Sequence, residues 1–181
     1  AEIKTKKGIL VEPMDHPEDH LLRTIEHGGI VGRWLGRSEF GPRALGHRSI
    51  LLRADDQSLV DTLNARLKRE EFMPFAPIRR AGAGSSTMTV VVPADDELRD
   101  RCPAAVHRDG TVRTQLINAE FDPGLWRLLA RAEEAGLPAL INTSFNRHGE
   151  PIVERPSEAV ELLRLGVVDV LQCDKFLVRR V

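Results

Sequence analysis

Gly36, Gly41 and Gly46 recur at five-residue intervals in a segment that also carries Arg43 and Arg48. Glycine lets backbone approach a ligand closely, and two guanidinium forks can converge on one anion, so the segment reads as a phosphate-binding loop. It is not a Walker A loop, because His47 and Arg48 follow Gly46 where that motif needs Lys and then Ser or Thr. A second polar set, Asn142-Thr143-Ser144-Phe145-Asn146-Arg147-His148-Gly149-Glu150-Pro151, directly follows an apolar run. Ligands of open α/β sheets gather at the carboxyl ends of strands, where such a loop offers amides, hydroxyls and backbone; turn formation explains part of this polarity. Arg113 and Gln115, two apart, share a face if their segment is a strand, which suits the reading of a flat ligand. Lys68 and Arg69 close a helical pattern, where the helix dipole alone favours cations by about 0.3–1 kcal/mol. His16 and His20 have metal-pair spacing but no third ligand nearby, and Pro17 interrupts the turn, so they read as solvated histidines rather than a metal site.

Positioning these groups requires a scaffold, and the hydrophobic periodicity supplies one. Leu21, Leu22 and Ile25 mark a helix that starts near Asp15 or His16 and stops at Gly28-Gly29. Leu59, Leu63 and Leu67 form the stripe of a second, capped by Asp55 or Asp56 and running to about Arg69. Asp122 caps a third, with Leu125, Leu128, Leu129 and Ala132 inward and Arg127, Arg131 and Glu134 outward, ending at Gly136. A fourth spans Ser157 to about Leu165. Strands are expected at 30–35, 49–53, 87–92, 112–117, 139–142, 168–171 and 176–179, with 87–92 buried because it is β-branched. Residues 81–86 read as a small-residue hinge too short to separate domains. Strands and helices interleave, so the fold class is α/β or α+β around a mixed sheet, with residues 1–15 as an N-terminal arm and 16–181 as a single domain.

A chain of 181 residues is most simply one domain and buries enough surface to need no disulfide or structural metal. No apolar run approaches the roughly 20 residues of a membrane span and no export signal is visible, so no membrane partner is expected. Cys102 and Cys173 stand alone, which makes a reducing cytoplasm the default location. The net charge of −1 argues against a general nucleic-acid coat. Its distribution is uneven, however: residues 30–53 hold Arg33, Arg37, Arg43, Arg48 and Arg53 against the single acid Glu39. An anion is expected to dock there.

Taken together these segments resemble the C-terminal domain of the O-carbamoyltransferases, the family of the nodulation U proteins and of antibiotic carbamoyltransferases. The likeness rests on GRSEFGPRALGHRSIL at 36–51, MPFAP at 73–77, HRDGTVRTQ at 107–115 and LINTSFNRHGEPIVERPSEAV at 140–160. It implies a YrdC-like twisted mixed sheet flanked by helices, and a Ser-x-Asn loop for ATP that Ser144-Phe145-Asn146 matches. It further implies that the domain turns carbamoyl phosphate and ATP, with Mg²⁺, into carbamoyl adenylate. A separate N-terminal actin-like ATPase-fold domain would then pass the carbamoyl group to a hydroxyl acceptor. The site expected from this has Arg43, Arg48 and Lys68 as catalytic cations. Glu39, Arg69, His107, Arg113, Gln115, Asn142, Thr143, Ser144 and Asn146 are expected to bind ATP or carbamoyl phosphate. Met73 departs from the family, many of whose members carry Arg there, and 79–87 is shorter than in relatives. The alternative expectation is a YrdC-like module that binds RNA or a partner without catalysis.

Overall fold

The computed structural model of the protein describes residues 4–6, 8–69 and 75–181. Met73, with its expected loss of a cation, lies outside the described residues. The strands are β1 (Lys4–Lys6), β2 (Ile9–Pro13), β3 (Val31–Trp34), β4 (Arg48–Arg53), β5 (Ala76–Arg79), β6 (Val92–Pro93), β7 (Thr111–Val112), β8 (Gln115–Leu116), β9 (Leu140–Ser144), β10 (Val170–Cys173) and β11 (Phe176–Arg180). The α-helices are α1 (Pro17–Glu26), α2 (Gln57–Arg66), α3 (Asp96–Arg101), α4 (Pro123–Glu134) and α5 (Pro156–Arg164). Nine strands form one mixed sheet in the order β1-β2-β11-β10-β3-β4-β9-β5-β8, and β6 pairs with β7 apart from it. Only β10 with β3 and β5 with β8 run parallel.

Alternation along the central strands builds a core on each face of this sheet. Ile50 and Leu52 turn toward the cluster that holds Leu63 of α2, Leu98 of α3 and Leu163 of α5. Leu51 turns the other way, toward Leu21 and Ile25 of α1 and Leu125 and Leu129 of α4. Period two on a strand and the stripe on each helix thus produce three layers, with α1 and α4 on one side and α2, α3 and α5 on the other. Arg127 pairs with Glu18 at 2.8 Å and Arg131 with Asp19, tying α4 to α1 at their outer edges. Helix starts follow side-chain capping: Asp56, Asp95 and Asp122 each accept a backbone N–H of the first turn.

The structure departs from the sequence expectations in four places. Segment 87–92 is no buried strand: Met88 adopts a left-handed φ of 52°, Val90 and Val91 are exposed, and only Val92 joins a strand. Its β-branched composition yields to the left-handed turn at Met88. The expected strand 112–117 breaks after Val112, so Arg113 and Gln115 are not two positions of one strand. Within the expected hinge 81–86, residues 81–83 and 86 are exposed, whereas 84 and 85 are half-buried, with Ser85 bridged to Gln115 and a Cβ on Gly84 falling 2.6 Å from the Thr114 carbonyl oxygen. Finally, α2 ends at Arg66, three residues early, because Lys68 turns the chain with a φ of 57°. The N-terminal segment, for its part, contributes β2 to the main sheet through antiparallel pairing with β11.

Candidate functional site

Strands β4, β9 and β5 are neighbours in the sheet, and the chain on either side of them converges on a cavity of about 130 Å³. Its wall takes Arg43 and Ala44 from the loop between β3 and β4, Arg69 from beyond α2, and Phe75 and Ala76 at β5. Met88, His107 and Arg113 close one side, and Asn142, Thr143 and Ser144 of β9 form the base. A more apolar groove of about 380 Å³, with Phe40, Leu45, Thr87 and Val91 on it, shares Pro42, Arg43, Met88 and Arg113 with the cavity. Seven of the expected site residues are therefore brought together from four separate stretches of chain: Arg43, Arg69, His107, Arg113, Asn142, Thr143 and Ser144.

The electrostatics of this wall are one-sided. Arg43 and Arg113 have no carboxylate or hydrogen-bond partner among the described residues. Burial, reinforced by the neighbouring Arg113 charge, lowers the Arg43 pKa below the usual arginine value. Arg69 lies with its guanidinium 4.8 Å from the centre of the Phe75 ring and donates to Thr143 Oγ1 at 3.3 Å. Burial likewise lowers its pKa. His107 touches Thr111 Oγ1 at 3.1 Å through Nδ1. Burial, with Arg113 adding to it and Asp109 opposing, pulls the imidazole pKa below its ordinary value. No Asp or Glu is among the described residues lining the cavity. Cations assembled without counter-charge make an anion-binding surface. Among the described residues the side-chain oxygens this lining offers Mg²⁺ are the amide and hydroxyl oxygens of Asn142, Thr143 and Ser144, with no carboxylate.

Five expected residues stand elsewhere. Arg48 is 3% exposed and donates to the carbonyls of Leu35 (2.6 Å), His47 (3.1 Å) and Gly36 (2.8 Å) while stacking 4.2 Å above Trp34. It fastens the base of the glycine loop and does not line the cavity. Glu39 Oε1 accepts the amides of Leu45 (2.7 Å) and His47 (2.6 Å), folding the same loop on itself. Lys68 is an exposed turn residue. Gln115 is fully buried behind Asn142 and donates to the Leu45 carbonyl at 2.6 Å. Asn146 closes its own turn by donating to the carbonyls of Arg147 (2.9 Å) and Glu150 (2.8 Å).

The sequence reading also missed the support under the loop. Arg33, 1% exposed, donates to Asp122 at 3.1 Å and to Gln172 at 3.0 Å, with His47 Nε2 3.9 Å from the same carboxylate. Burial acts to raise the Asp122 pKa, but Arg33 and the Leu125 amide outweigh it and hold the carboxyl below its usual range. Of the five arginines in 30–53, Arg33, Arg48 and Arg53 are thus committed to internal partners, the last to Asp55 at 2.6 Å. Of these five only Arg37 and Arg43 are exposed, so most of the local excess of positive charge is spent on internal partners.

The model of the carbamoyltransferase C-terminus matches residues 22–180. An uncharacterized protein of Methanocaldococcus jannaschii is 35% identical over 167 residues, covering 86% of this chain and 27% of that protein. The nodulation protein NolNO of Sinorhizobium fredii is 34% identical over 186 residues, covering 95% of this chain and 27% of its own length. This chain therefore spans about a quarter to a third of the length of the curated relatives it matches. Among solved structures, full-length HypF in its phosphate- and nucleotide-bound form superposes with a TM-score of 0.61 at 20% identity, over 91% of this chain and 26% of HypF. That likeness concerns the fold, a mixed sheet flanked by helices as expected. No helix among the described residues is long and apolar enough to cross a membrane.

Proposed function

The chain belongs to the carbamoyltransferase C-terminus family, and on that premise we propose that its cavity binds carbamoyl phosphate beside ATP and forms carbamoyl adenylate. The observation that carries this reading is the cluster of Arg43, Arg69, Arg113 and His107 around one small cavity with no carboxylate on its described wall. An adenylate retains the carbamate oxygen, so mass balance requires three events. Water releases inorganic phosphate from carbamoyl phosphate, the carbamate oxygen bonds to the α-phosphorus of ATP, and the bond to pyrophosphate breaks. Such phosphoryl chemistry asks the protein chiefly for positioning and for charge on the phosphoryl oxygens. Arg43 and Arg113, free of internal partners among the described residues, are the groups for that task, with Arg69 held ready by Phe75 and Thr143.

The cavity is below the roughly 300–1,000 Å³ of drug-sized ligands, which suits an acyl phosphate and leaves the adenosine to the adjoining apolar groove. Mg²⁺ would arrive on the nucleotide phosphates. Transfer to a hydroxyl acceptor belongs to another domain. An adenylate in an open site is lost to water, and the adjoining groove carries the exposed Phe40 and Val91, an apolar rim suited to cover by a companion domain. The test is calorimetric titration with ATP and Mg²⁺, with and without carbamoyl phosphate, joined to pyrophosphate exchange and mass spectrometry of polyol or aminoglycoside acceptors. Binding with at most slow exchange, and no carbamoylated acceptor from this chain alone, is expected. Absence of anion binding at millimolar concentration would overturn the reading.

A further inference from the structure

Asn142 sits at the base of the cavity with 1% of its surface exposed, and its amide orientation is dictated by acceptors. Gln115 faces the Leu45 carbonyl at 2.6 Å, so the atom there must be its NH₂, which turns Gln115 Oε1 toward Asn142. Asn142 in turn faces that Oε1 at 2.5 Å and the Ala44 carbonyl at 3.0 Å. Both are acceptors only, so Nδ2 must lie against them and a flipped amide would set oxygen against oxygen. Asn142 Oδ1 is consequently held in place as an acceptor, and it is buried with no hydrogen-bond partner among the described residues. Arg43 and Arg113, on the same wall, do not donate to it. A buried acceptor without a donor is costly, and in a ligand cavity the missing donor comes from the ligand.

We infer that Asn142 Oδ1 selects an acyl phosphate whose acyl carbon bears NH₂ over one that bears CH₃, with Gln115 as the positioning residue that sets its orientation. The inference rests on the proposed carbamoyl phosphate site. Carbamoyl and acetyl phosphate share a phosphate and differ at the acyl substituent, an N–H donor in one and a methyl group in the other. A site built to meet an N–H penalises the analogue that lacks it, because its own polar atom is then left unpaired.

The experiment titrates the wild-type chain with inorganic phosphate, acetyl phosphate and freshly prepared carbamoyl phosphate. Carbamoyl phosphate is expected to bind at least about tenfold more tightly than acetyl phosphate. In Asn142→Ala that preference should vanish through loss of carbamoyl phosphate affinity, with folding checked by melting. Equal binding of the two acyl phosphates to the wild-type chain would overturn the inference while leaving the anion site standing. A preference for carbamoyl phosphate that survives in Asn142→Ala would also overturn it. Failure of all three anions to bind would remove the proposed site itself. The wild-type comparison decides the matter even if the variant does not fold.

Discussion

Arg43 and Arg48 lie five residues apart in one motif, yet their alanine variants should fail in opposite ways. Arg48→Ala removes donors from three backbone carbonyls and the cation above Trp34. Hydrogen bonds to charged groups contribute about 1.5–3 kcal/mol each, but Leu35, Gly36 and His47 are not fully buried and water can replace part of what is lost. A net cost of about 3 kcal/mol follows, or roughly 6–12 °C in melting temperature at 2–4 °C per kcal/mol for a chain of this size. Arg43 is exposed and meets no partner among the described residues, while its neighbour Arg113 repels it. Arg43→Ala should therefore melt within about 2 °C of wild type. Its anion affinity should fall on the order of 10- to 100-fold, the worth of one charge-assisted contact at 1.4 kcal/mol per decade. Differential scanning calorimetry and titration with carbamoyl phosphate measure the two quantities on the same preparations. An Arg43 variant that melts as low as the Arg48 variant, or that keeps full affinity, would refute the division of the motif into anion contact and loop anchor.

Three further outcomes are expected. Burial and Arg113 lower the His107 pKa, and a bound phosphate should raise it again and draw in a proton; calorimetry near pH 6 in buffers of different ionisation enthalpy should show uptake that is smaller in His107→Gln. Gly46 has a φ of 130° and a Cβ there would lie 2.8 Å from Leu125 Cδ2, so Gly46→Ala should cost about 1–3 kcal/mol, read from urea unfolding. Asp122→Ala leaves Arg33 buried without its carboxylate and should cost about 3–5 kcal/mol at neutral pH. The folded-state Asp122 pKa is depressed, so its stabilisation is complete above the ordinary carboxylate range and is lost as pH falls through the folded value; the gap between wild type and variant should narrow below about pH 4.

What the sequence determined by itself was local. The helix capped by Asp122, with Leu125, Leu128, Leu129 and Ala132 buried, was legible because capping and a 3.6-residue period are properties of contiguous residues. The polar set after β9 was legible for the same reason, as was the glycine loop, whose residue types announce an anion before any fold is known. Tertiary structure alone decided which members of those sets face the cavity. Arg48 and Arg43 are indistinguishable as residues, but Arg48 lies on β4 under its own loop and the Leu35, Gly36 and His47 carbonyls consume its donors. Arg33 and Asp122 are 89 positions apart, and nothing local relates them until β3 and α4 are brought together. Asn142 and Gln115, 27 apart, become one oriented pair only when both meet the Ala44 and Leu45 carbonyls. The physical reason is that residue type states what a side chain can bond, whereas burial and the order of strands settle which bonds are made within the chain and which atoms remain for a ligand.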